Sequence, residues 1–300
     1  MNPQKTIRQL LEEKDNDYSA YEPFENNSPI PSSIIIPAYN GTKSLEKTLE
    51  NLSKHKTILI NPDLFELIVV NDGSEEDVYS VFEQTCFPCA NRFISHNRNL
   101  GRSCARNSGI KKSSKELIFF FDADILLPSN YFEKVWKIHN SVNKAIAVGF
   151  AQNKYLDEIS YLSSDSEKIV PDIIDDFRHY KKFNTDKFGR TEFRLAKETD
   201  WFKQFGYHRR IGPWTLPKMV VTHNLSVRRK HALNVGGFDE RFRTWGYEDT
   251  HFGTKLIAYG CYVVPSKETG VIRMLQRDKK RIFSNENEAL YDRLINLPLD

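Results

Sequence analysis

Apolar runs that end in polar clusters recur four times between residues 33 and 124. Ser33-Ile34-Ile35-Ile36 passes into Pro37-Ala38-Tyr39-Asn40, and Phe65–Val70 passes into Asn71-Asp72-Gly73-Ser74. Arg92–Ser95 passes into His96-Asn97-Arg98-Asn99, and Leu117–Phe121 into Asp122-Ala123-Asp124. Helical spacing separates these runs. Leu45, Leu49 and Leu52 share one face, Glu75–Gln84 reads as a second helix, and Gly101 opens a third. Ser103, Cys104, Ala105 and Ser108 give that third helix the small residues it needs to lie close to a sheet. Continuous apolar strands alternating with helices predict an α/β fold, Rossmann-like, with a mostly parallel central sheet and helices on both faces. Ligands of such sheets bind beyond the C-terminal strand ends, near a switch in strand order. All four polar clusters then fall on one rim.

Further along, the spacing predicts a helix over Tyr131–Asn140 and a strand over Ala145–Phe150. Residues 153–215 are charged and aromatic with no clean period, as in a functional loop or helical insertion. Regularity returns at Met219–Asn224, followed by a helix that Gly236-Gly237 ends. A last helix is predicted from Glu248, with Phe252, Leu256 and Tyr259 on one face and Gly260 as its stop. Cys261–Val264 reads as the last strand. The division this suggests is an extension over 1–30 with a short helix near Ile7–Leu11, a first half over 31–150, a second half of the same domain over 151–281, and a polar tail over 282–300.

Composition narrows the class. Lys+Arg number 43 and Asp+Glu 40, a net charge of +3, so no basic excess points to nucleic acid. No apolar run approaches the roughly 20 residues of a membrane span, and Met1–Ser28 lacks the apolar stretch of a signal peptide. The expected location is cytoplasmic, with peripheral membrane contact left open. Cys86-Phe-Pro-Cys89 has no second CxxC to complete a four-thiolate zinc site, so the cysteines are expected to be reduced.

Four constellations carry candidate chemistry. In Asp122-Ala123-Asp124, alternate residues of an extended segment point the same way, so both carboxylates can reach one cation. Hard oxygen donors suit Mn²⁺ or Mg²⁺ bridging a diphosphate. A solvated acidic turn has the same letters; the place directly behind three phenylalanines favours the cation. Asp72, at a strand end before Gly73, can hold uracil or ribose, although Asp-Gly is also a tight-turn pair. Arg102 and Arg106 lie four apart on a helix whose start favours anions, where they can meet phosphate or pair with an aspartate. In Trp245-Gly246-Tyr247-Glu248-Asp249, two carboxylates stand at a helix start. They are either helix-terminal acids or the source of a general base for an acceptor hydroxyl, kept ionised by the helix terminus.

Taken in order, the segments PxYN, NDGS, NxGxxxARNxGI and DAD resemble the family 2 glycosyltransferases over about residues 33–265. Gly236-Gly237-Phe238-Asp239-Glu240 with Trp245–Asp249 is similar to the C-terminal part of the β-1,4-galactosyltransferases and bacterial chondroitin-type polymerases. The resemblance implies a GT-A type fold and an inverting transfer of a hexose or N-acetylhexosamine from a UDP-sugar. It implies Asp249 as catalytic base, Glu248 holding a sugar, Asp72 on the nucleoside, and Asp124 on the metal; Asp122 is a candidate for both the metal and the nucleotide-sugar. Pro37, Tyr39, Asn40, Asn97, Arg102, Arg106, Ala123, Trp245 and Gly246 are the remaining candidate contacts of the nucleotide-sugar. Met274 matches a methionine metal ligand of those relatives, but the histidine that follows it there is missing from Arg273-Met274-Leu275-Gln276-Arg277-Asp278-Lys279-Lys280. His223 and His251 are candidate replacements, and the basic run itself reads equally as a solvated segment. The acceptor, a glycan, peptide or lipid-linked saccharide, is expected to meet residues 153–215, where Trp201, Phe202, Tyr207 and Trp214 can stack on sugar rings or serve a core. A nucleotidyltransferase would show a Gly-rich loop with Arg and Lys after the first strand, which Pro37–Gly41 does not match. A sugar-nucleotide-binding relative without catalysis is the other alternative.

Overall fold

The computed structural model describes residues 4–14, 28–159, 210–211, 214–276 and 285–299. The first half builds β1 (Ser32–Ala38), α2 (Thr42–Ser53), α3 (Lys56–Ile60), β2 (Phe65–Asn71), α4 (Val78–Gln84), β3 (Ala90–Ser95), α5 (Arg102–Lys112), β4 (Leu117–Phe121) and the short β5 (Ile125–Leu126), after an N-terminal α1 (Ile7–Lys14). Next come α6 (Tyr131–Ser141), β6 (Ala145–Tyr155), a two-residue hairpin pair β7 (Arg210–Ile211) and β8 (Trp214–Thr215), and one turn of helix, α7 (Leu216–Met219). The chain then forms β9 (Asn224–Arg228), α8 (Arg229–Asn234), α9 (Glu248–Ala258), β10 (Tyr262–Leu275) and α10 (Asn285–Leu294).

Eight strands form one sheet in the order β3-β2-β1-β4-β9-β6-β10-β5. β3, β2, β1 and β4 run parallel, β9 is inserted antiparallel to β4 and β6, and β10 runs parallel to β6. The sheet is therefore mostly parallel, as its unbroken apolar strands predict. Phe119, Phe120 and Phe121 are buried, with Phe119 facing the cluster under α2 and α6 and Phe120 facing the cluster under α9. Burying each such ring contributes roughly 1.5–3 kcal/mol. The close approach predicted for α5 is visible at Gly109, where a Cβ would stand 2.4 Å from Ile35 Cγ2 on β1.

Four elements differ from the sequence-based expectation. The helix expected from Glu75 starts at Val78, because Asn40 Oδ1 accepts the Glu75 and Glu76 N–H groups and Asp77 caps the next turn through Ser80 N. Met219–Asn224 is not itself the regular element: α7 ends at Met219, and the strand begins at Asn224. The last strand is far longer than Cys261–Val264. It continues to Leu275 through a register shift between Ser266 and Val271, where Pro265 and the polar residues after it interrupt the apolar run. Finally, 285–294 is a helix rather than a loose polar tail, with Leu294 and Ile295 buried. Its apolar positions meet α1 and α9. Ile7, Ala258 and Ile295 form one cluster, and the Ile7 and Arg8 N–H groups donate to Leu297 and Ile295 carbonyls. Both terminal segments thus brace the outer side of α9, the helix that starts with Glu248. Among the described residues, no helix is long and apolar enough to cross a membrane.

Candidate active site

The rim at the ends of β1, β2 and β4 is tied together by its own polar groups. Asn40, in the left-handed region at φ 53, donates its N–H to Ser74 Oγ at 2.9 Å, which locks the loop after β1 to the loop after β2. Gly73 turns at φ +70 against the backbone of Arg98; a Cβ there would lie 2.2 Å from Arg98 C. Asp72 is buried and accepts from His96 Nδ1 (2.8 Å), Leu100 N (3.0 Å) and Gly101 N (2.9 Å). The other side of the His96 ring meets Ser108 Oγ at 2.9 Å. Asp72 therefore sets the 96–101 loop and, through Gly101, the start of α5.

That start carries the arginines. Arg106 is 1% exposed and lies 5.4 Å over the Phe238 ring. Its Nη1 donates to Glu248 Oε1 at 3.3 Å and its Nη2 to Asp122 Oδ1 at 3.2 Å. Arg102, more exposed, stands 4.0 Å from Glu248. Arg273 on β10 approaches both acidic residues of the DxD, with Nη2 3.5 Å from Asp122 Oδ2 and Nε 3.5 Å from Asp124 Oδ2. Burial opposes charge on Asp122, but the guanidiniums of Arg106, Arg273 and Arg102 outweigh it and hold that carboxyl well below the usual range. Glu248 is buried, and its Oε2 accepts the Gly246 N–H at 3.0 Å. Asp249 behaves oppositely to Asp122. Burial first, then the neighbouring Glu248, raises it to about 7, against the pull of Arg106 and the Thr250 N–H. The sequence-based expectation is that the helix terminus keeps Asp249 ionised near neutrality; burial and Glu248 outweigh that terminus and leave the carboxyl partly protonated there.

Two cavities adjoin here. The first, about 390 Å³, is lined by Pro37, Tyr39, Asn40, Asp72, Asn99, Ala123, Asp124, Arg243, Thr244 and Met274 among others. The second, about 500 Å³, is lined by Gly246, Glu248, Asp249, Lys218, Thr222, His223 and Arg273 among others. Arg102, Arg106, Asp122 and Trp245 line both. Of the candidate contacts of the nucleotide-sugar, Asn97 lines neither; it is exposed, and Asn99 takes the place at the first cavity. His223 lines the second cavity, whereas His251 packs against Phe242 and Tyr291 away from both. The Met274 side chain is buried with Leu126, Ile159 and Ile272, and its N–H donates to the Asp124 carbonyl at 2.7 Å. Trp201, Phe202, Tyr207 and the run 277–280 lie outside the described residues, as does the side chain of Trp214.

Among the described residues, no three His, Cys, Asp or Glu side chains gather as a cation cage. Asp122 and Asp124 offer two carboxylates beside an open cavity. This donor set suits Mg²⁺ or Mn²⁺ held by one or two carboxylates together with substrate phosphates, not a closed protein cage.

The model of Glycosyl transferase family 2 matches residues 33–233. The chain belongs to this family. A second model, the N-terminal domain of galactosyltransferase, matches residues 217–278, the segment that carries Trp245–Asp249 and Arg273. Among curated relatives, the uncharacterized glycosyltransferase YfnE of Bacillus subtilis (strain 168) is 28% identical over 75% of this chain and 60% of its own. The chondroitin synthase of Escherichia coli is 27% identical over 77% of this chain and 32% of its own. This family 2 chain thus spans less than two thirds of either relative. Two solved structures share its fold. S. aureus TarS 1–349 in complex with UDP-GlcNAc aligns at a TM-score of 0.62 and 16% identity, covering 89% of this chain and 65% of that one. The mannosyltransferase PcManGT from Pyrobaculum calidifontis in complex with GDP-Man and Mn²⁺ aligns at 0.59 and 14%, covering 90% and 64%. At such identity the likeness establishes the GT-A fold alone.

Proposed function

We propose that this family 2 chain transfers a hexose or N-acetylhexosamine from a UDP-sugar to a hydroxyl acceptor, with inversion at the anomeric carbon. The observation that carries the reading is the junction of two cavities. Asp72 and Asp124 line one, Asp249 lines the other, and Arg102, Arg106, Asp122 and Trp245 stand between them. In this reading the nucleotide occupies the first cavity, with its diphosphate toward the DxD, and the acceptor enters the second. Asp122 and Asp124 would hold a divalent ion, which when bound supplies positive charge to the leaving diphosphate.

The transfer is a single displacement. The acceptor O–H gives its proton to the Asp249 carboxylate while its oxygen bonds to the anomeric carbon. The bond from that carbon to the β-phosphate oxygen breaks, and the nucleoside diphosphate leaves with the electron pair. A carboxylate raised to about 7 is a better base than an ordinary aspartate and is still substantially ionised near neutrality. Glu248 is less suited to the base role, because Arg106 and the Gly246 N–H already engage its two oxygens. It instead raises Asp249 and fixes Arg106. Bringing the two substrates together at one junction supplies much of the remaining acceleration.

The test is Asp249→Asn, which keeps size and removes the base. Transfer should fall by about 10²–10⁴-fold. UDP affinity, followed by calorimetry with Mn²⁺ present, should stay within a few fold of the parent. Undiminished transfer by the variant would remove Asp249 from this role.

A further inference from the structure

Arg273 has no place in the transfer just described, yet it stands at the DxD. We propose that its guanidinium is a built-in occupant of the Asp122–Asp124 pair which a divalent cation must displace, so that cation and nucleoside diphosphate load cooperatively. The proposal rests on the metal part of the reading above.

The placement comes from the backbone. Arg273 pairs with Ile125 in the antiparallel β10–β5 ladder, and the next N–H along, that of Met274, donates to the Asp124 carbonyl at 2.7 Å. β10 is thereby pinned to the DxD turn. The guanidinium is 15% exposed and reaches one oxygen of each aspartate at 3.5 Å. Guanidinium stays protonated at any working pH, so it cannot leave these carboxylates by losing a proton. A divalent ion entering alone must therefore displace a fixed positive charge from the two carboxylates. A diphosphate changes that balance, because its oxygens match the guanidinium fork as well as a carboxylate does. Arg273 lines the second cavity and Asp122 lines both, so a diphosphate that reaches the DxD from the first cavity would supply an anion beside Arg273 and the remaining donors for the cation. Arg106 cannot substitute, being held on Glu248 and Asp122 and 1% exposed.

Such an exchange is a coupling between two ligands, and the coupling is reciprocal: UDP must tighten Mn²⁺ by the same factor as Mn²⁺ tightens UDP. Free Mn²⁺ can be counted by electron paramagnetic resonance during titration of the full chain, with and without UDP. In the parent, UDP should tighten Mn²⁺ by about 5–150-fold. Arg273→Gln should bind Mn²⁺ alone about tenfold more tightly than the parent, and the enhancement by UDP should shrink by a similar factor. Arg102→Gln, which removes a cleft charge without vacating the pair, should tighten Mn²⁺ by much less. Should Arg273→Gln fail to fold by circular dichroism, Arg273→Lys carries the test: its single ammonium cannot span both carboxylates, and it too should bind Mn²⁺ alone more tightly. Unchanged or weaker Mn²⁺ binding by the Arg273 variant overturns the proposal, as does an equal gain from Arg102→Gln. If the parent binds UDP but no Mn²⁺ under any condition, the metal part of the functional reading falls with it. If it binds neither, the donor assignment falls as well.

Discussion

Asp122 and Asp249 are both carboxylates at the junction of the two cavities, and their surroundings move them in opposite directions. Asp122 faces Arg106 and Arg273 and stays ionised; Asp249 is enclosed beside Glu248 and is raised to about 7. The sign for catalysis follows directly. Only the ionised form of Asp249 accepts a proton, and below about pH 7 the protonated form predominates. Donor-saturated kcat/KM for the acceptor should therefore fall about tenfold per pH unit on the acid side and level off above about pH 7.5. An acceptor-side profile measured between pH 5.5 and 8.5 checks this. An acid limb centred near 4, where an ordinary aspartate titrates, would show that neither burial nor Glu248 governs the base. The residues of this contrast were readable as candidates because each stands directly behind a strand or at a helix start. Their division of labour was not. It depends on which guanidinium lies within 3–4 Å, and a charge at a helix terminus looks the same in sequence whether or not it is enclosed.

At the scale of elements, the loop over 244–247 shows what chain order hides. It presents Trp245 between the cavities and then turns through Gly246 (φ 111) and Tyr247 (φ 66) into α9. A tyrosine in the left-handed region is strained and persists only when held. The hold comes from α10. Asn287 is buried, and its Nδ2 donates to the Thr244 carbonyl at 3.1 Å and the Gly246 carbonyl at 2.7 Å. The Tyr247 hydroxyl meets Glu288, and its ring packs on Tyr291. Asn287→Ala leaves two carbonyls without this donor, at about 1–3 kcal/mol in stability. Gly246 and Tyr247 line the second cavity, where the acceptor is proposed to enter, while Thr244 lines the first, so kcat/KM for the acceptor should drop on the order of tenfold or more and UDP affinity by less. Thermal melts together with separate donor and acceptor titrations check both parts; equal losses for donor and acceptor would mean that α10 supports the whole rim. Residues 282–300 read as a polar tail because α10 buries only a narrow stripe, with Leu294 at its end and Ile295 just beyond. Its partners lie tens of residues earlier in the chain, beyond any local periodicity. The same distance in sequence hid Arg273, 149 residues from Asp124. The four strand-end motifs were legible because each is a local event: a strand that runs directly into a polar turn.

Across the whole molecule, the alternation of strands and helices was enough to predict a mostly parallel sheet, and the family match and shared fold agree with it. What the pattern could not supply is how the later strands are inserted. β9 enters antiparallel between β4 and β6, and this brings α9 and β10 against the rim built by the first half. Arg106 is where those two contributions meet. One guanidinium joins Asp122, 16 residues away, to Glu248, 142 residues away, and stacks on Phe238. Removing one partner of a buried pair leaves the other charged and uncompensated, so Arg106→Leu should cost about 3–5 kcal/mol of unfolding free energy. The loss has a specific signature. In the double variant Arg106→Leu with Glu248→Leu, no buried charge remains unmatched between α5 and α9, and much of that stability should return, since apolar replacements of buried pairs are often neutral. Urea unfolding of the parent, the two single variants and the double variant gives the coupling directly. Additive losses would mean that Arg106 stabilises the molecule through Phe238 and Asp122 instead of Glu248. In the Arg106→Leu single variant, Asp249 also loses the charge that pulls against its elevation, so its acid limb should move to higher pH than in the parent.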